Sequence, residues 1–88
     1  MPDYDTRYAI LEIYLRERNL SNDVSLAQLA KDTAGMTGAE LEGLCRRSAM
    51  LSIRDSIESH PGKEFAPFRI EARHFKAAVA LCGKADLS

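Results

Sequence analysis

Residues 33–41 read Thr-Ala-Gly-Met-Thr-Gly-Ala-Glu-Leu, and this stretch ends one predicted helix and begins another. Thr37 and Glu40 have the capping-box spacing, in which each side chain accepts a hydrogen bond from a backbone N–H that the new helix leaves unpaired. Gly35 stands where the preceding helix should stop, because glycine tolerates a positive φ. Gly38 falls in the first turn of the new helix, where glycine costs roughly 0.5–1 kcal/mol relative to alanine. Capping does not explain Gly38, so we expect something to approach this helix start closely.

The small pair Gly38 and Ala39 has two interpretations on the residues alone. The pair leaves room either for a ligand or for another helix that packs closely against this one. Without further information we favour helix packing, and a ligand contact stays open as the alternative.

The composition is that of one small globular domain. The chain has 88 residues, of which 45% are hydrophobic and 28% are charged, a balance typical of folded proteins. Its 12 basic and 13 acidic residues give a net charge of −1 without long runs of either sign, which argues against binding to nucleic acid or to an anionic membrane. No apolar run approaches the roughly 20 residues that span a bilayer, and no signal-like segment opens the chain. We therefore expect a single domain over residues 1–88, located in the cytoplasm.

The two cysteines, Cys45 and Cys82, are far apart and belong to no CxxC pair. Each falls on the apolar face of a predicted helix. We interpret them as buried, reduced thiols of a cytoplasmic protein rather than as a disulfide.

The spacing of the apolar residues predicts an all-α fold, a small four-helix bundle. The predicted helices cover about 6–18, 25–32, 37–59 and 71–81. Between the last two, residues 60–67 contain two prolines and a glycine and are expected to form a loop. Residues 68–70 are expected to form a short extended segment.

Two of the predicted helices are apolar on more than one face. The first helix carries one stripe more than a small bundle obviously needs; its stripes are Tyr4, Tyr8, Leu11 and Leu15, and beside them Ile10, Ile13 and Tyr14. The third helix has two apolar faces, which predicts that it lies in the middle of the bundle. These faces consist of Leu41, Leu44, Cys45, Ser48 and Leu51, and of Ala49, Ile53 and Ile57.

The sequence offers no catalytic constellation. It contains no GxxxxGK(S/T) phosphate loop, no HExxH and no GxSxG motif. His60 and His74 have no partner at metal-ligand spacing, so we interpret His60 as a solvated loop residue and His74 as a first-turn residue beside the core Phe75. We predict no catalytic and no metal-binding residue in this chain.

The charged residues of the third helix are interpreted as a solvated surface. Asp55 and Glu58 stand at helical spacing, and solvation explains them without an acid–base role. The three arginines of this helix, Arg46, Arg47 and Arg54, are likewise interpreted as surface charges, with a specific anion contact as the open alternative.

Several short motifs keep their order and spacing through nearly the whole chain. They are Pro2-Asp3, Arg7, Ile10-Leu11, Asp23-Val24-Ser25-Leu26, Leu29-Ala30, Thr33, Gly35, Thr37-Gly38-Ala39-Glu40-Leu41, Cys45, Ile53-Arg54, Ile70 and His74-Phe75. With these motifs the chain resembles the C-terminal helical lid of AAA ATPases. It most resembles the lids of the valosin-containing-protein, proteasomal and FtsH-like groups.

This resemblance implies a nucleotide contact for four residues. In the family, the Gly-Ala pair that opens the third helix lies against the adenosine, which implies this role for Gly38 and Ala39. Two residues of the first helix line the adenine pocket in the family, which implies that role for Ile10 and Tyr14. Many relatives have histidine at the second of these positions, although a tyrosine ring can also pack on a base. The implied cofactor is ATP or ADP, with its Mg²⁺ held by an upstream domain.

The resemblance also implies a larger machine. An upstream α/β domain would carry the Walker A and Walker B motifs. The lid would close over ATP and press on a neighbouring subunit. The parent would be a homo- or hetero-hexamer that remodels or unfolds protein substrates. Hydrolysis would change the angle between the two domains at a hinge near residues 2–5. The end of the chain at Ser88 favours the last ATPase module of the parent. Alone, this chain is expected to bind nucleotide only very weakly, and not to be an enzyme.

Two other functions stay open. One is a free-standing helical interaction module, in which the exposed stripe of the first helix docks a partner helix or strand. The other is a small DNA-binding domain, suggested by the short helix, turn and helix that follow Ser25. Glu40 and Glu42 argue against the DNA-binding hypothesis, because their negative charges stand at the start of the recognition helix, where it would have to contact DNA phosphates.

Overall fold

Four α-helices follow one another across the residues that the computed structural model describes, namely 2–59, 62 and 68–87. They are α1 (Tyr4–Leu15), α2 (Leu26–Asp32), α3 (Gly38–Ser59) and α4 (Ala72–Leu87). No strand occurs in this part of the chain, so the all-α prediction is confirmed. The loop predicted over 60–67, with His60, lies outside the described residues except for Gly62, which has a φ of 86° in a turn.

Two helices differ in length from their predictions. α1 begins two residues earlier than predicted, because Asp3 caps it and accepts the backbone N–H of Thr6 at 2.9 Å. It ends at Leu15, and in the turn that follows the N–H of Arg18 donates to the Leu15 carbonyl at 3.1 Å. α4 continues six residues beyond the predicted end at Leu81.

The segment that follows α1 runs beside the segment that precedes α4. Ile70 donates its backbone N–H to the carbonyl of Asn19 at 2.9 Å and accepts the N–H of Ser21 at 3.0 Å. These bonds form an isolated parallel bridge between Leu20 and Ile70, so the predicted extended segment before the last helix is present. The chain must leave the helical path to reach this partner, which explains why α1 stops early.

The core lies where α3 packs against α1 and α4, while α2 packs against α1. The predicted central position of α3 is therefore confirmed. The buried apolar side chains are Leu11, Leu15, Leu29, Ala30, Met36, Leu41, Leu44, Cys45, Ala49, Ile70, Phe75 and Ala78.

The second apolar face predicted for α3 is wrong at its end. The side chain of Ile57 is 62% exposed, whereas Ser52 and Ser56 are buried. The hydroxyl of Ser52 donates to the carbonyl of Ala49 at 2.7 Å, so a small polar side chain is satisfied inside its own helix. The predicted faces included Ser48 but omitted Ser52 and Ser56, because the identity of a serine does not show whether its hydroxyl is satisfied within the helix.

Arg7 joins α1 to the end of α2. Its side chain is buried; Nε donates to the carbonyl of Ala30 at 2.8 Å and Nη1 donates to the carbonyl of Pro2 at 3.0 Å. A cation at the carbonyl end of a helix is stabilised by the helix dipole. The hydroxyl of Thr33 also donates to the Ala30 carbonyl, at 3.2 Å. This network fixes the entry of the chain to the bundle.

Cys45 is a free thiol in the core, as predicted. Burial raises the pKa of this thiol to about 11, so it stays protonated and unreactive at neutral pH. The prediction for Cys82 concerns a side chain outside those that the structure describes.

Candidate functional site

The start of α3 has the predicted local geometry. The N–H of Thr37 donates to Oε1 of Glu40 at 2.8 Å, and the N–H of Glu40 donates to Oγ1 of Thr37 at 3.2 Å. Gly35 has a φ of 89°, the left-handed conformation expected after a helix end. The capping box is therefore complete, and it uses residues of this turn only.

Gly38 faces open space at this helix start. Apart from its chain neighbours and the backbone of its own helix turn, a Cβ atom built on Gly38 would meet no described atom within 4 Å. Ala39, the next residue, is exposed. The interpretation that Gly38 is small so that another helix of this chain can pack against it is therefore wrong for the described residues.

The second apolar stripe of α1 is largely left out of the core. Ile13 is 62% exposed and Tyr14 is 38% exposed, while Ile10 is half-buried and packs against the core cluster. Ile13 was not among the residues that the resemblance assigned to the adenine pocket. Its place in a surplus apolar stripe was the available signal that it belongs to an exposed apolar surface.

The four predicted site residues lie on two helices that pack against each other. Ile10 and Tyr14 are one turn apart on α1, and Gly38 and Ala39 form the first turn of α3. Tyr14 and Ile13 line an open cleft of about 470 Å³, but Ile10, Gly38 and Ala39 do not line it. Within this chain the two pairs therefore offer exposed surface and do not enclose a common cavity.

The start of α4 is built differently, from residues far apart in sequence. Oδ1 of Asp23 accepts the N–H of Ala72 at 3.2 Å, and Nδ1 of His74 accepts the N–H of Glu71 at 2.9 Å. Because Nδ1 is an acceptor, the imidazole proton lies on Nε2 and is donated to Asp55 at 2.6 Å. His74 is buried, as its predicted place beside the core suggested.

Asp55 has a structural role that its sequence position did not reveal. Its Oδ2 atom also forms an ion pair with Nη1 of Arg73 at 2.7 Å. The hydrogen bond from His74 lowers the pKa of Asp55, and the charge of Arg73 lowers it further. The interpretation of Asp55 as a merely solvated carboxylate is therefore wrong, since this side chain joins α3 to α4.

The part of the chain that the structure describes holds no group of three or more His, Cys, Asp or Glu side chains that could bind a metal ion. None of its described helices is long and apolar enough to cross a membrane.

Comparison with known proteins agrees with the family resemblance. Residues 23–66 match the family model described as AAA+ lid domain. The cell division control protein 48 homolog B of Arabidopsis thaliana is 40% identical over 77 residues, which cover 88% of this chain and 11% of that protein. The cell division cycle protein 48 homolog of Archaeoglobus fulgidus is 36% identical over 83 residues, covering 89% of this chain and 11% of that protein.

The name of another relative states an activity. The proteasome-activating nucleotidase of Methanospirillum hungatei is 37% identical over 76 residues, which cover 86% of this chain and 18% of that protein. The chain thus spans less than a fifth of the length of these curated relatives.

Proposed function

This chain belongs to the AAA+ lid domains, and we propose that it is the C-terminal lid of a larger AAA ATPase chain, where it helps to enclose the adenine of a bound nucleotide. The short share of each relative that it covers supports a larger parent. The phosphate loop, absent from these 88 residues, would lie in a large domain of the same chain. The whole of residues 1–88 would form the lid.

The observation that carries this proposal is the open space at Gly38. The capping box satisfies the N–H groups of Thr37 and Glu40 without using Gly38, and no described atom of this chain occupies the place of a Gly38 Cβ. Glycine weakens a helix, so a glycine without a role inside the chain indicates a contact from outside it. Gly38 and the exposed Ala39 would let the adenosine approach the backbone.

α1 would supply the apolar wall of the same pocket. The ring of Tyr14 is large, flat and partly exposed, and an aromatic ring packs well on a base. Ile10 would border the base from its half-buried position on the same face. The nucleotide, when bound, supplies the reactive phosphates; this chain's residues hold only its apolar end and exclude water from it.

The lid would also transmit motion within a hexamer that remodels or unfolds proteins. Arg7 holds the carbonyl of Pro2 at 3.0 Å, and Asp3 caps α1, so the first described residues move with the lid. A hydrolysis-driven rotation would therefore occur at the N-terminal edge of the segment 2–5. The partners would be the large domain in cis, neighbouring subunits and protein substrates.

A second candidate function has one observation in its favour. The exposed stripe of Ile13 and Tyr14 could dock a partner helix instead of a base. In that case, changes at Tyr14 and Ala39 would weaken partner binding and leave nucleotide turnover unchanged.

A chimera tests the proposed function. The matched segment of the Methanospirillum hungatei nucleotidase is replaced by this chain, and the rate of nucleotide hydrolysis is measured. We expect Ala39→Leu to lower kcat/KM about tenfold, which is about 1.4 kcal/mol, mainly through a higher KM for the nucleotide. The matched control is Ala77→Leu, the same change at an exposed position of α4. Equal rates for the two variants would contradict a nucleotide contact at Ala39.

The isolated chain provides a second test. Since the phosphate contacts lie outside it, we expect calorimetry to detect at most very weak ATP binding. A submicromolar dissociation constant would contradict this division of the site between two domains.

A further inference from the structure

The outer face of α3 carries a groove that the proposed nucleotide contact does not use. It has a volume of about 730 Å³ and is bordered by the last described side chain of α4, Leu81. Met50 and Ile57 are each 62% exposed in it, and Leu81 is 42% exposed. Three large apolar side chains thus share one exposed surface, although a small domain gains from burying them.

The groove has the seven-residue spacing of a helix-pairing surface. Gly43, Met50 and Ile57 are seven residues apart in turn, and Arg47 and Arg54 repeat the same interval four positions later. Seven residues make about two turns, so each set lies along one line of the helix. An apolar stripe with a charged row beside it is the pattern by which one helix selects another.

Arginines are the main charged residues of the groove, whose described lining also contains one carboxylate, Glu58. Arg46 pairs with Glu42 at 3.6 Å on the exposed surface. By contrast, Arg47 and Arg54 form no ion pair with any described carboxylate. The chain as a whole has a net charge of −1, so this positive row does not follow from the overall charge.

We propose that this groove docks an acidic amphipathic helix of a partner protein. The apolar stripe of that helix would cover Met50 and Ile57, and two of its carboxylates, seven residues and roughly 10 Å apart, would meet Arg47 and Arg54. Guanidinium groups prefer carboxylates because they can form two parallel hydrogen bonds with them. This interaction is independent of the nucleotide contact, which uses α1 and the start of α3.

The charges also argue against other occupants. A second copy of this chain placed symmetrically on the same groove would bring Arg47 and Arg54 opposite arginines, and like charges repel across such an interface. A nucleic acid would satisfy the arginines but would leave the apolar stripe of Met50 and Ile57 without an apolar cover.

Two synthetic helical peptides test the proposal. They share the same leucines at heptad spacing and differ only in the flanking positions, which are glutamate in one and lysine in the other. Fluorescence anisotropy measures their binding to the 88-residue chain. We expect the glutamate peptide to bind at least about tenfold more tightly than the lysine peptide, and to lose affinity as salt is added.

Charge reversal in the protein completes the experiment. The double variant Arg47→Glu/Arg54→Glu should reverse the preference and bind the lysine peptide more tightly. The matched control Lys31→Glu/Arg69→Glu makes the same change in charge at exposed positions outside the groove and should keep the original preference. Circular dichroism verifies that both variants are folded.

Three results would overturn the proposal. They are equal affinity for the two peptides, no binding of either peptide, and a sedimentation profile in which the chain forms a dimer that the Arg47→Glu/Arg54→Glu variant loses. The first would leave only unspecific apolar contact. The third would make a second copy the occupant.

Discussion

The backbone N–H groups at the starts of α3 and α4 find their hydrogen-bond acceptors in different parts of the chain. In both helices the third residue accepts the backbone N–H of the cap residue: Glu40 accepts that of Thr37 at 2.8 Å, and His74 accepts that of Glu71 at 2.9 Å. In α3 the second bond of the cap is donated by the N–H of Glu40 and accepted by Oγ1 of Thr37, the cap residue itself. In α4 the next N–H is accepted by Asp23, 49 residues away. The cap of α3 is formed within its own turn, while the cap of α4 depends on a residue from another part of the bundle.

Because of this difference, residues distant in sequence contact the start of α4 but not the start of α3. At the start of α4, Asp23 accepts the N–H of Ala72 and Asp55 accepts the Nε2–H of His74. The capping box of α3 uses only residues of its own turn, and Gly38 and Ala39 are not covered by distant residues among those described. The proposed nucleotide contact therefore lies where neighbouring residues already cap the helix.

The largest expected effect is on the α4 side. His74→Ala removes the acceptor for the Glu71 N–H, the donor to Asp55 and a buried ring. We expect the free energy of unfolding to fall by about 2–3 kcal/mol, measured by urea denaturation. Lys76→Ala, on the exposed side of the same helix, is the control. A similar small loss for both variants would show that α4 does not depend on its distant partners.

Removal of the local cap should cost less. Thr37→Ala leaves the Glu40 N–H without its acceptor, and we expect a loss of about 1 kcal/mol. Because the cap is reciprocal, the double variant Thr37→Ala/Glu40→Ala should lose less than the sum of the two single losses. Strict additivity in urea denaturation would contradict a coupled cap.

These two helix starts also show what the sequence could predict. The cap at Thr37, the turn at Gly35 and the extent of α3 depend on neighbours within a few residues, so their pattern is local and was predicted. The bond between Asp55 and His74 joins residues 19 positions apart. Neither that bond nor the end of α1, which the bridge to Ile70 determines, has a local signal.

The candidate site was predictable only in part. Gly38 was noticeable because it weakens a helix and has no capping role. The stripe of Ile10, Ile13 and Tyr14 was noticeable because it adds more apolar residues than a small bundle needs. Their assignment to adenine came from the family resemblance. The exposure of Ile13 became visible only once the packing of α1 was known, because a stripe does not show which of its members reach the core.

The α4 side should also respond to acid. The His74 hydrogen bond and the Arg73 charge hold the pKa of Asp55 below its ordinary 3.8. A lowered folded-state pKa adds stability that is present above the unfolded value and is lost as the pH falls through the folded value. Urea denaturation between about pH 2 and pH 5 should therefore show a decline that Asp55→Asn makes shallower.

A second carboxylate should contribute to the same decline. The Thr6 hydrogen bonds also lower the pKa of Asp3, so Asp3→Asn should remove a second part of the decline. An unchanged slope in Asp55→Asn would contradict the role of Asp55 at the start of α4.

The smallest expected effect is a gain in stability on the α3 side. Gly38→Ala meets no described atom and replaces a helix-weakening residue, so we expect stability to rise by up to about 0.5–1 kcal/mol. Gly43→Ala, at another helical glycine with open space around its Cβ, should give a similar gain. In the chimera only Gly38→Ala should also lower nucleotide turnover. A loss of stability in Gly38→Ala would show that the helix start is not open.

Photochemical labelling tests most directly whether the open start of α3 faces a nucleotide. The chimera is irradiated with 8-azido-ATP, and its tryptic peptides are examined by mass spectrometry. Peptide 8–16 contains Ile10 and Tyr14, and peptide 32–46 contains Gly38 and Ala39. We predict label on at least one of these peptides, removed by excess ATP and reduced by Ala39→Leu. Label on neither peptide, or label that excess ATP does not remove, would contradict a nucleotide contact at α1 and the start of α3.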